Sequence, residues 1–333
     1  MAPAARSTAK NTTQHTDPIK PHAALPATGA GYAERMTGSR SSRLLALLSL
    51  VACAIPASAL APSRIERVIL TPATVQAGSP ELIRLNLADD SARVTGEWLG
   101  RKLEFFPSRD GHSWLALAGV DVEAPAGPSH LTIHLTLASG STSDIVRTIE
   151  IHPARYRTTT LTVPPRFVEP GPDALKQIQA EQQLKARVFA ASAATPLWLG
   201  SFRAPVRAAP TDSFGTRRLF NGELASIHKG MDFRARPGTP VRAANAGVVV
   251  LARPLYYEGN CVILDHGLGL YTLSMHMSRF SVHEGQHVAK GQLLGLSGAT
   301  GRVTGPHLHW AVRWQGAYLD PAKLLRLNLN ALR

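Results

Sequence analysis

The sequence is poor in cysteine and in acidic residues. Only two of its 333 residues are Cys, and 23 Asp and Glu stand against 36 Lys and Arg, which gives a formal net charge of +13. If the segment that contains Cys53 is removed, Cys261 has no partner, and an intrachain disulfide is excluded. Cys261 lies in the apolar run CVIL and is predicted to be a buried thiol. The positive charge favours a polyanionic partner, which could be nucleic acid, anionic lipid or an acidic wall polymer.

Several binding signatures are also missing. The sequence contains no RNP, zinc-knuckle or helix-turn-helix signature, so nucleic acid is the weakest of these partners and none is predicted. The glycine-rich stretch GATGRVTG lacks the Gly-Lys-Ser/Thr ending of a phosphate-binding loop, and it is interpreted as a turn. No internal repeat of 20–50 residues is visible.

The N-terminus is typical of an export signal. Arg40 and Arg43 precede LLALLSLVACAIPASALA, an apolar run followed by small residues that suit cleavage after Ala59 or Ala61. Residues 1–61 are therefore predicted to be leader and signal peptide, with Met36 as the true start, and the protein is expected in the periplasm or cell envelope of a bacterium. Two membrane attachments stay open. LVAC resembles a lipobox that would lipidate Cys53, and the uncharged residues 44–63 could serve as an anchor.

The rest of the chain is predicted to be mainly β. Short strands separated by turns over 62–163, such as HLTIHLTL and IVRTIEI, indicate an antiparallel β-sandwich-like domain. Residues 164–196 are predicted to hold a linker and one helix, at 173–192, after VPPRFVEPGP. Residues 197–333 form a further glycine-punctuated β domain with strands at NCVILDHG, LYTLSMHM and QLLGLSG. A chain of this length suits two such domains.

The stretch GPHLHWAVRW, at 305–314, contains two candidate functional histidines. From Leu308 onward apolar residues alternate with others, which predicts a strand and turns His307 and His309 to one face, about 7 Å apart along the strand. Upstream, HKGMD places His228 and Asp232 four residues apart, so both can reach one face of a helix or strand.

These residue types suit a zinc site. His228, Asp232 and His309 together supply two imidazoles and one carboxylate, and three protein ligands leave a fourth position for water, as in catalytic zinc sites. Proton transfer near neutral pH is most simply done by a histidine, and His307 and His276 are the candidates.

The same motifs, in this order and spacing, resemble the lysostaphin-type (M23, LytM) family of zinc metallopeptidases over about 214–325. The likeness rests on FGTRRLFNGE, HKGMDF, PGTPVRAANAGVVV, GNCVILDHG, LSMHMS and GQHVAKGQLLGLSGATGRVTGPHLHW. It implies an antiparallel β peptidase domain with one Zn²⁺ on His228, Asp232 and His309. By the same resemblance, His307 and His276 are catalytic residues that orient water and stabilise the oxyanion, and the substrate is peptidoglycan peptides. Many relatives have Tyr-Ala where this chain has Ser274-Met275, so the surroundings of His276 differ.

Three other histidine patterns receive a structural interpretation. His283 to His287 spells H-E-x-x-H, but Gly285 and the strand-like flanks indicate an exposed turn in place of the helix that motif needs. His130 and His134 share a strand face and are expected to face solvent, and His266 is assigned to a turn.

The leading functional hypothesis is an exported zinc endopeptidase that cuts stem-peptide crosslinks. A non-catalytic wall-binding protein or amidase activator is the alternative, because some relatives have lost ligands and act in that way. A lytic factor aimed at other bacteria has no distinguishing mark in the sequence. An autoinhibitory contact, in which the N-terminal part covers the groove, is a further hypothesis.

Overall fold

In a computed structural model of the chain, residues 65–330 are described except 88–90, 110, 112, 161–169 and 221–222. The predicted signal segment with Met36 and Cys53 therefore lies outside the described residues, as does most of the predicted linker. No helix in the described ranges is long and apolar enough to cross a membrane.

The secondary structure is mostly strand. The first part of the chain contains β1 (Ile65–Thr71), β2 (Pro80–Leu87), β3 (Ser91–Trp98), β4 (Arg101–Glu104), β5 (Phe106–Pro107), β6 (Ser113–Gly119), β7 (Gly127–Leu137), β8 (Thr142–Ile151) and β9 (Thr158–Thr160). The second part contains α1 (Pro172–Ala190), β10 (Pro210–Asp212), β11 (Arg217–Phe220), β12 (Glu223–Ile227), β13 (Met231–Phe233), β14 (Pro240–Arg242), β15 (Gly247–Leu255), β16 (Gly259–Asp265), β17 (Leu270–Phe280), β18 (His287–Val288), β19 (Leu293–Ser297), β20 (Leu308–Trp314), β21 (Ala317–Leu319) and α2 (Pro321–Leu324). The predicted mainly β fold class is confirmed.

Two four-stranded antiparallel sheets are built from the first part, in the orders β1-β2-β6-β5 and β4-β3-β7-β8. Their strands alternate as expected, since Leu131 and Ile133 of β7 are buried while His130 faces solvent. Ile83 of one sheet and Trp98 and Ile133 of the other belong to one hydrophobic cluster, because each sheet must bury its apolar face.

A large antiparallel sheet forms the second part, with the strand path β10-β13-β20-β17-β16-β15-β18. The predicted strands around NCVILDHG, LYTLSMHM and HLHWAVRW become β16, β17 and β20, which lie side by side in its centre. Cys261 is fully buried within it, as predicted.

The helix α1 begins with Pro172 at its first turn, close to the predicted start. Its residues Val188 and Phe189 pack on a second hydrophobic cluster that includes Tyr271 and Ala311 of the large sheet. Alternation in β20 predicted that Ala311 would share a face with His309. The helix covers the Ala311 end of that face, which is therefore apolar, whereas the His309 end is polar.

The N-terminal sheets and the large sheet share one core within a single compact unit that contains residues 65–330. A side chain at Gly119 would come within 2.5 Å of the Leu319 side chain, so the two parts are in close contact. Strand β9 also links the two parts, because it belongs to the first part and pairs in parallel with β11 of the second part. The boundaries at 163 and 197 stay a prediction.

Candidate metal centre and groove

Three predicted ligands meet at the edge of the large sheet. Asp232 of β13 lies directly opposite His309 of β20 in the antiparallel ladder, and His228 follows the end of β12. The Nε2 atom of His228 is 3.1 Å from Oδ1 of Asp232 and 3.0 Å from Nδ1 of His309. That oxygen and that Nδ1 are 2.8 Å apart. Among the described residues, this trio forms a cluster able to hold a metal ion.

The donor set fits a zinc ion. The Nδ1 of His228 lies 3.0 Å from the carbonyl oxygen of Ser213, to which it donates, so its Nε2 presents a lone pair. Bonds of about 2.0–2.2 Å to a tetrahedral Zn²⁺ would set ligand atoms about 3.3 Å apart, close to the observed spacing. Lone pairs and a carboxylate oxygen that face one another repel unless a cation or protons lie between them. Two imidazoles and one carboxylate are a ligand set that zinc accepts.

A second carboxylate and a guanidinium support these ligands. Oδ2 of Asp212 lies 3.2 Å from Nδ1 of His228 and 3.0 Å from a terminal nitrogen of Arg218. The same Arg218 nitrogen is 3.4 Å from Oδ2 of Asp232. A carboxylate behind a ligating imidazole orients the ring and raises its basicity. Sequence reasoning assigned no role to Asp212 or Arg218, since neither belongs to a ligand-spacing pattern.

The protonation states follow from these contacts. Burial raises the pKa of Asp232, but the adjacent His228 and His309 rings outweigh it and hold that pKa well below its usual range. Burial lowers the pKa of His228, yet Asp212 and Asp232 together raise it above its ordinary value. Burial lowers the pKa of His309. The ligand carboxylate is therefore ionised, and the Asp212 charge holds the His228 ring in place.

His276 reaches the site because β17 is irregular there. Its φ is +62°, and the pairing of β16 with β17 shifts register at this position, which turns the side chain out of the strand's regular alternation. Its Nδ1 donates to the carbonyl oxygen of Thr300, 2.9 Å away, which leaves Nε2 free. Burial, followed by the nearby His309 and His307, lowers its pKa to about 3.

His307 lies next to this ring. The two imidazole centroids are 4.9 Å apart, and Nε2 of His307 is 3.7 Å from Oδ1 of Asp232. Its Nδ1 donates to the carbonyl oxygen of Gly305, 2.8 Å away. Thr300 and Gly305 belong to one loop, residues 299–306, so a single segment orients both imidazoles through backbone carbonyls.

These groups open into a cavity of about 560 Å³. Asp232, His276, His307 and His309 line it, whereas His228 lies behind them and is buried. Residues 157–159 around β9 and residues 302–306 are also among its lining. The structure thus brings all five predicted residues together; their roles as ligands or catalytic groups stay a prediction. The contribution of β9 was not foreseen, because a Thr-rich stretch carries no functional signal.

The other histidine patterns lie away from this centre. Glu284 of the H-E-x-x-H stretch pairs with Arg253 in an exposed turn, which confirms that interpretation. His266 lies in the turn after β16, as predicted, and is fully buried. Its ring is hydrogen-bonded to the Ala246 carbonyl and the Thr272 hydroxyl. His134 pairs with Asp144, 2.7 Å away, on the solvent side of β7.

Comparison with known proteins agrees with this geometry. Residues 226–321 match the family described as peptidase family M23. The chain is 44% identical over 120 residues to the peptidoglycan DD-endopeptidase ShyA of Vibrio cholerae, covering 36% of this chain and 27% of that protein. It is 42% identical over 98 residues to the DD-carboxypeptidase/endopeptidase Mpg of Neisseria meningitidis, covering 29% and 23%. The chain thus spans about a quarter of the length of these curated relatives.

A solved structure resembles more of the chain. The crystal structure of a candidate peptidase M23 from Pseudomonas aeruginosa superposes with a TM-score of 0.58 and 25% identity, covering 75% of this chain and 94% of that one. The similarity therefore extends beyond the matched family region.

Proposed function

We propose that this chain, whose residues 226–321 match peptidase family M23, is a zinc endopeptidase of peptidoglycan peptides. One observation carries the proposal: His228, Asp232 and His309 converge beside a cavity into which two further imidazoles point. The name of the relative from Vibrio cholerae supports peptidoglycan as the substrate class, and the names of both relatives support endopeptidase activity. The stem-peptide crosslinks are the target that we propose.

The metal would be held by His228, Asp232 and His309, with one ion per domain. When bound, Zn²⁺ supplies a Lewis acid that polarises the scissile carbonyl and activates water for attack. Asp212 and Arg218 fix the ligand geometry from behind, so the donor atoms do not have to reorganise when substrate enters.

His276 and His307 handle the proton. Their Nδ1–H groups are occupied by the Thr300 and Gly305 carbonyls, so each neutral ring offers its Nε2 lone pair to the attacking water. Once an imidazole has accepted that proton, the same Nε2 becomes a donor. It can then hydrogen-bond the developing oxyanion or protonate the departing amine. Because burial lowers the pKa of His276 to about 3, His276 stays neutral and orients the water and substrate, and His307 is assigned the role of proton acceptor.

Its substrate implies an envelope location. Peptidoglycan lies outside the cytoplasmic membrane, so the protein would be exported by the signal segment before Pro62. Cleavage after Ala59 or Ala61, lipidation of Cys53 and an uncleaved anchor are the alternatives that N-terminal mass analysis of the mature protein would separate.

The function is tested by digestion of isolated sacculi with the zinc-loaded protein, followed by mass identification of the muropeptides. We expect new uncrosslinked products, their loss with a chelator and their return with Zn²⁺. His309→Ala should abolish them and lower the bound zinc, whereas His134→Ala, an exposed histidine far from the centre, should do neither. Absence of products from the zinc-loaded protein would overturn the assignment and favour a non-catalytic wall-binding or amidase-activating role.

We also propose that the N-terminal part restrains the activity, since residues 157–159 line the cavity from one side. A shortened protein that begins at Gly171 keeps α1 over the second hydrophobic cluster and removes β9. Faster cleavage by the shortened protein, at an unchanged zinc content, is the expected result. Because the shortened protein also loses β1 to β8, which share a core with the large sheet, its thermal unfolding is measured first. Equal or slower cleavage by a shortened protein that unfolds cooperatively would mean that β9 is a groove wall and not a restraint.

A further inference from the structure

Three arginines line the cavity, and one of them differs from the others. Arg157 and Arg218 both hydrogen-bond the carboxylate of Asp212, and Arg218 also contacts Asp232. Arg302 has no carboxylate within ion-pair distance among the described residues. The one carboxylate with an electrostatic influence on it, Glu258, pairs with Lys185 of α1. Within the described part of the chain, Arg302 is therefore the arginine of this cavity without a carboxylate partner.

Arg302 is also held in a defined position. Its backbone N–H donates to the carbonyl oxygen of Tyr257, 2.9 Å away, and its guanidinium carbon lies 4.4 Å from the centroid of the Tyr257 ring. Stacking on an aromatic face leaves the in-plane N–H donors of a guanidinium free for a planar, bidentate acceptor. The next residue before it, Gly301, adopts φ +75° and could not carry a Cβ, which would lie 2.3 Å from the Gly259 nitrogen.

The position is tied to the reacting groups. Arg302 belongs to the loop 299–306, whose Thr300 and Gly305 carbonyls orient His276 and His307. Burial lowers the pKa of Arg302, and the positive charge of the nearby Arg218 lowers it further. A half-buried, unmatched guanidinium in a concave site gains from an anionic ligand, since both the burial and the repulsion from Arg218 are then offset.

We propose that Arg302 forms a carboxylate-binding subsite that selects peptides with a free carboxylate near the scissile bond. This inference rests on the proposed function for the nature of the peptide, and it names the chemistry that the groove recognises. The carboxylate has two sources in a peptide substrate: the side chain of a residue next to the scissile bond, or the chain's own C-terminus. In either case the guanidinium donates two parallel N–H bonds to the two carboxylate oxygens, a forked geometry that a lysine cannot provide.

The test uses binding, so that it does not depend on turnover. Uncleavable peptides with a reduced amide at the scissile position are titrated into the zinc-loaded full chain by calorimetry. The first pair compares a peptide that has a side-chain carboxylate with the same peptide that has a carboxamide there. The second pair makes the same comparison at the C-terminus. We expect one of the two replacements to weaken binding about tenfold to a hundredfold, as for a lost charge-assisted hydrogen bond. The pair that responds identifies the source.

Variants then assign that preference to Arg302. Arg302→Gln should weaken binding of the carboxylate peptide only, so that the carboxylate and carboxamide peptides bind with nearly equal affinity. Arg302→Lys should retain part of the preference for the carboxylate peptide. The control Arg187→Gln removes an exposed positive charge from α1 and should keep the full ratio. The inference is overturned if neither replacement matters to the unmodified protein, or if Arg302→Gln keeps the preference. Cleavage of the matching ordinary peptides is measured separately, and its absence would count against the proposed function only.

Discussion

Replacing Asp212 by Asn is the sharpest test of the ligand support. The change keeps an oxygen that can accept the His228 Nδ1–H and removes the negative charge that lies 3.2 Å from that nitrogen. It also removes the ionic partner that lies 3.0 Å from Arg218, whose guanidinium keeps its contact of 3.4 Å with Oδ2 of the Asp232 carboxylate. Both consequences reduce the electron density that the ligands can offer to a cation, so they act in the same direction.

The expected magnitude is a loss of zinc affinity of about tenfold to a hundredfold, the range found when a carboxylate behind a ligating histidine is lost. This corresponds to about 1.4–2.7 kcal/mol of binding free energy. Burial raises the pKa of Asp212, but hydrogen bonds from His228 and Arg218 hold it well below its usual range, so the carboxylate is charged at every pH at which the protein would be assayed. The loss should consequently be similar at pH 6.5 and pH 8.

The assay is a competition titration of Zn²⁺ against a chromophoric chelator, with the zinc-free protein as titrant. Asp173→Asn is the matched control, because Asp173 lies exposed on α1, where its ion-pair partner among the described residues is Lys176. Zinc affinity of Asp212→Asn within twofold of the unmodified protein would refute the role assigned to this carboxylate. A loss well beyond a hundredfold would show instead that Asp212 acts as a ligand itself.

Two further predictions concern other parts of the molecule. Burial raises the pKa of Glu81 to about 8 from its ordinary 4.5, so its folded form keeps the proton and the free energy of unfolding should fall by about 1.4 kcal/mol per pH unit between those values. Glu81→Gln should remove this contribution, and urea denaturation at pH 5.5 and pH 8 should show the variant gaining about 3 kcal/mol relative to the unmodified protein; equal pH dependence would contradict it. A Cβ at Gly230 would lie 2.4 Å from Nε2 of His309, so Gly230→Ala should displace this ligand and weaken zinc binding by tenfold or more. Gly171→Ala, where a Cβ would meet nothing within 4 Å, is its control, and unchanged zinc affinity in Gly230→Ala would be the contrary result.

Local patterns predicted much of the secondary structure. Alternation in β7 and β20 and the proline-initiated helix α1 could be read along the chain, because period and end signals are properties of neighbouring residues. The H-E-x-x-H stretch was excluded for the same reason, since a glycine and strand-like flanks prevent the helix that the motif needs. Strands with weaker alternation, such as β3 and β9, were not predicted, and β9 owes its pairing to β11, more than 50 residues away.

Within the candidate site, the sequence predicted the ligand and catalytic residues, but it did not predict the residues that hold them in position. Histidine and aspartate at 228, 232, 276, 307 and 309 could be selected because zinc accepts few ligand types and because the motif order resembles a known family. The roles of Asp212 and Arg218 depend on the pairing of β10 with β13 and on a contact of 3.0 Å between Arg218 of β11 and Asp212, which no spacing reports. The direction of His276 depends on a register shift in β17, and a left-handed residue in mid-strand has no sequence signal when it is not glycine.

The order of residues along this chain therefore determined the candidate ligands, the mainly β character and the elements that hold them. Tertiary structure decided which nitrogen of His228, His276 and His307 stays free, because the Ser213 carbonyl and the Thr300 and Gly305 carbonyls of the loop 299–306 occupy the other nitrogen. It also decided that Arg302, unlike Arg157 and Arg218, has no carboxylate partner among the residues that the structure describes. Pairing of charges depends on distances of a few ångströms between segments far apart in the chain, and only the packed fold sets those distances.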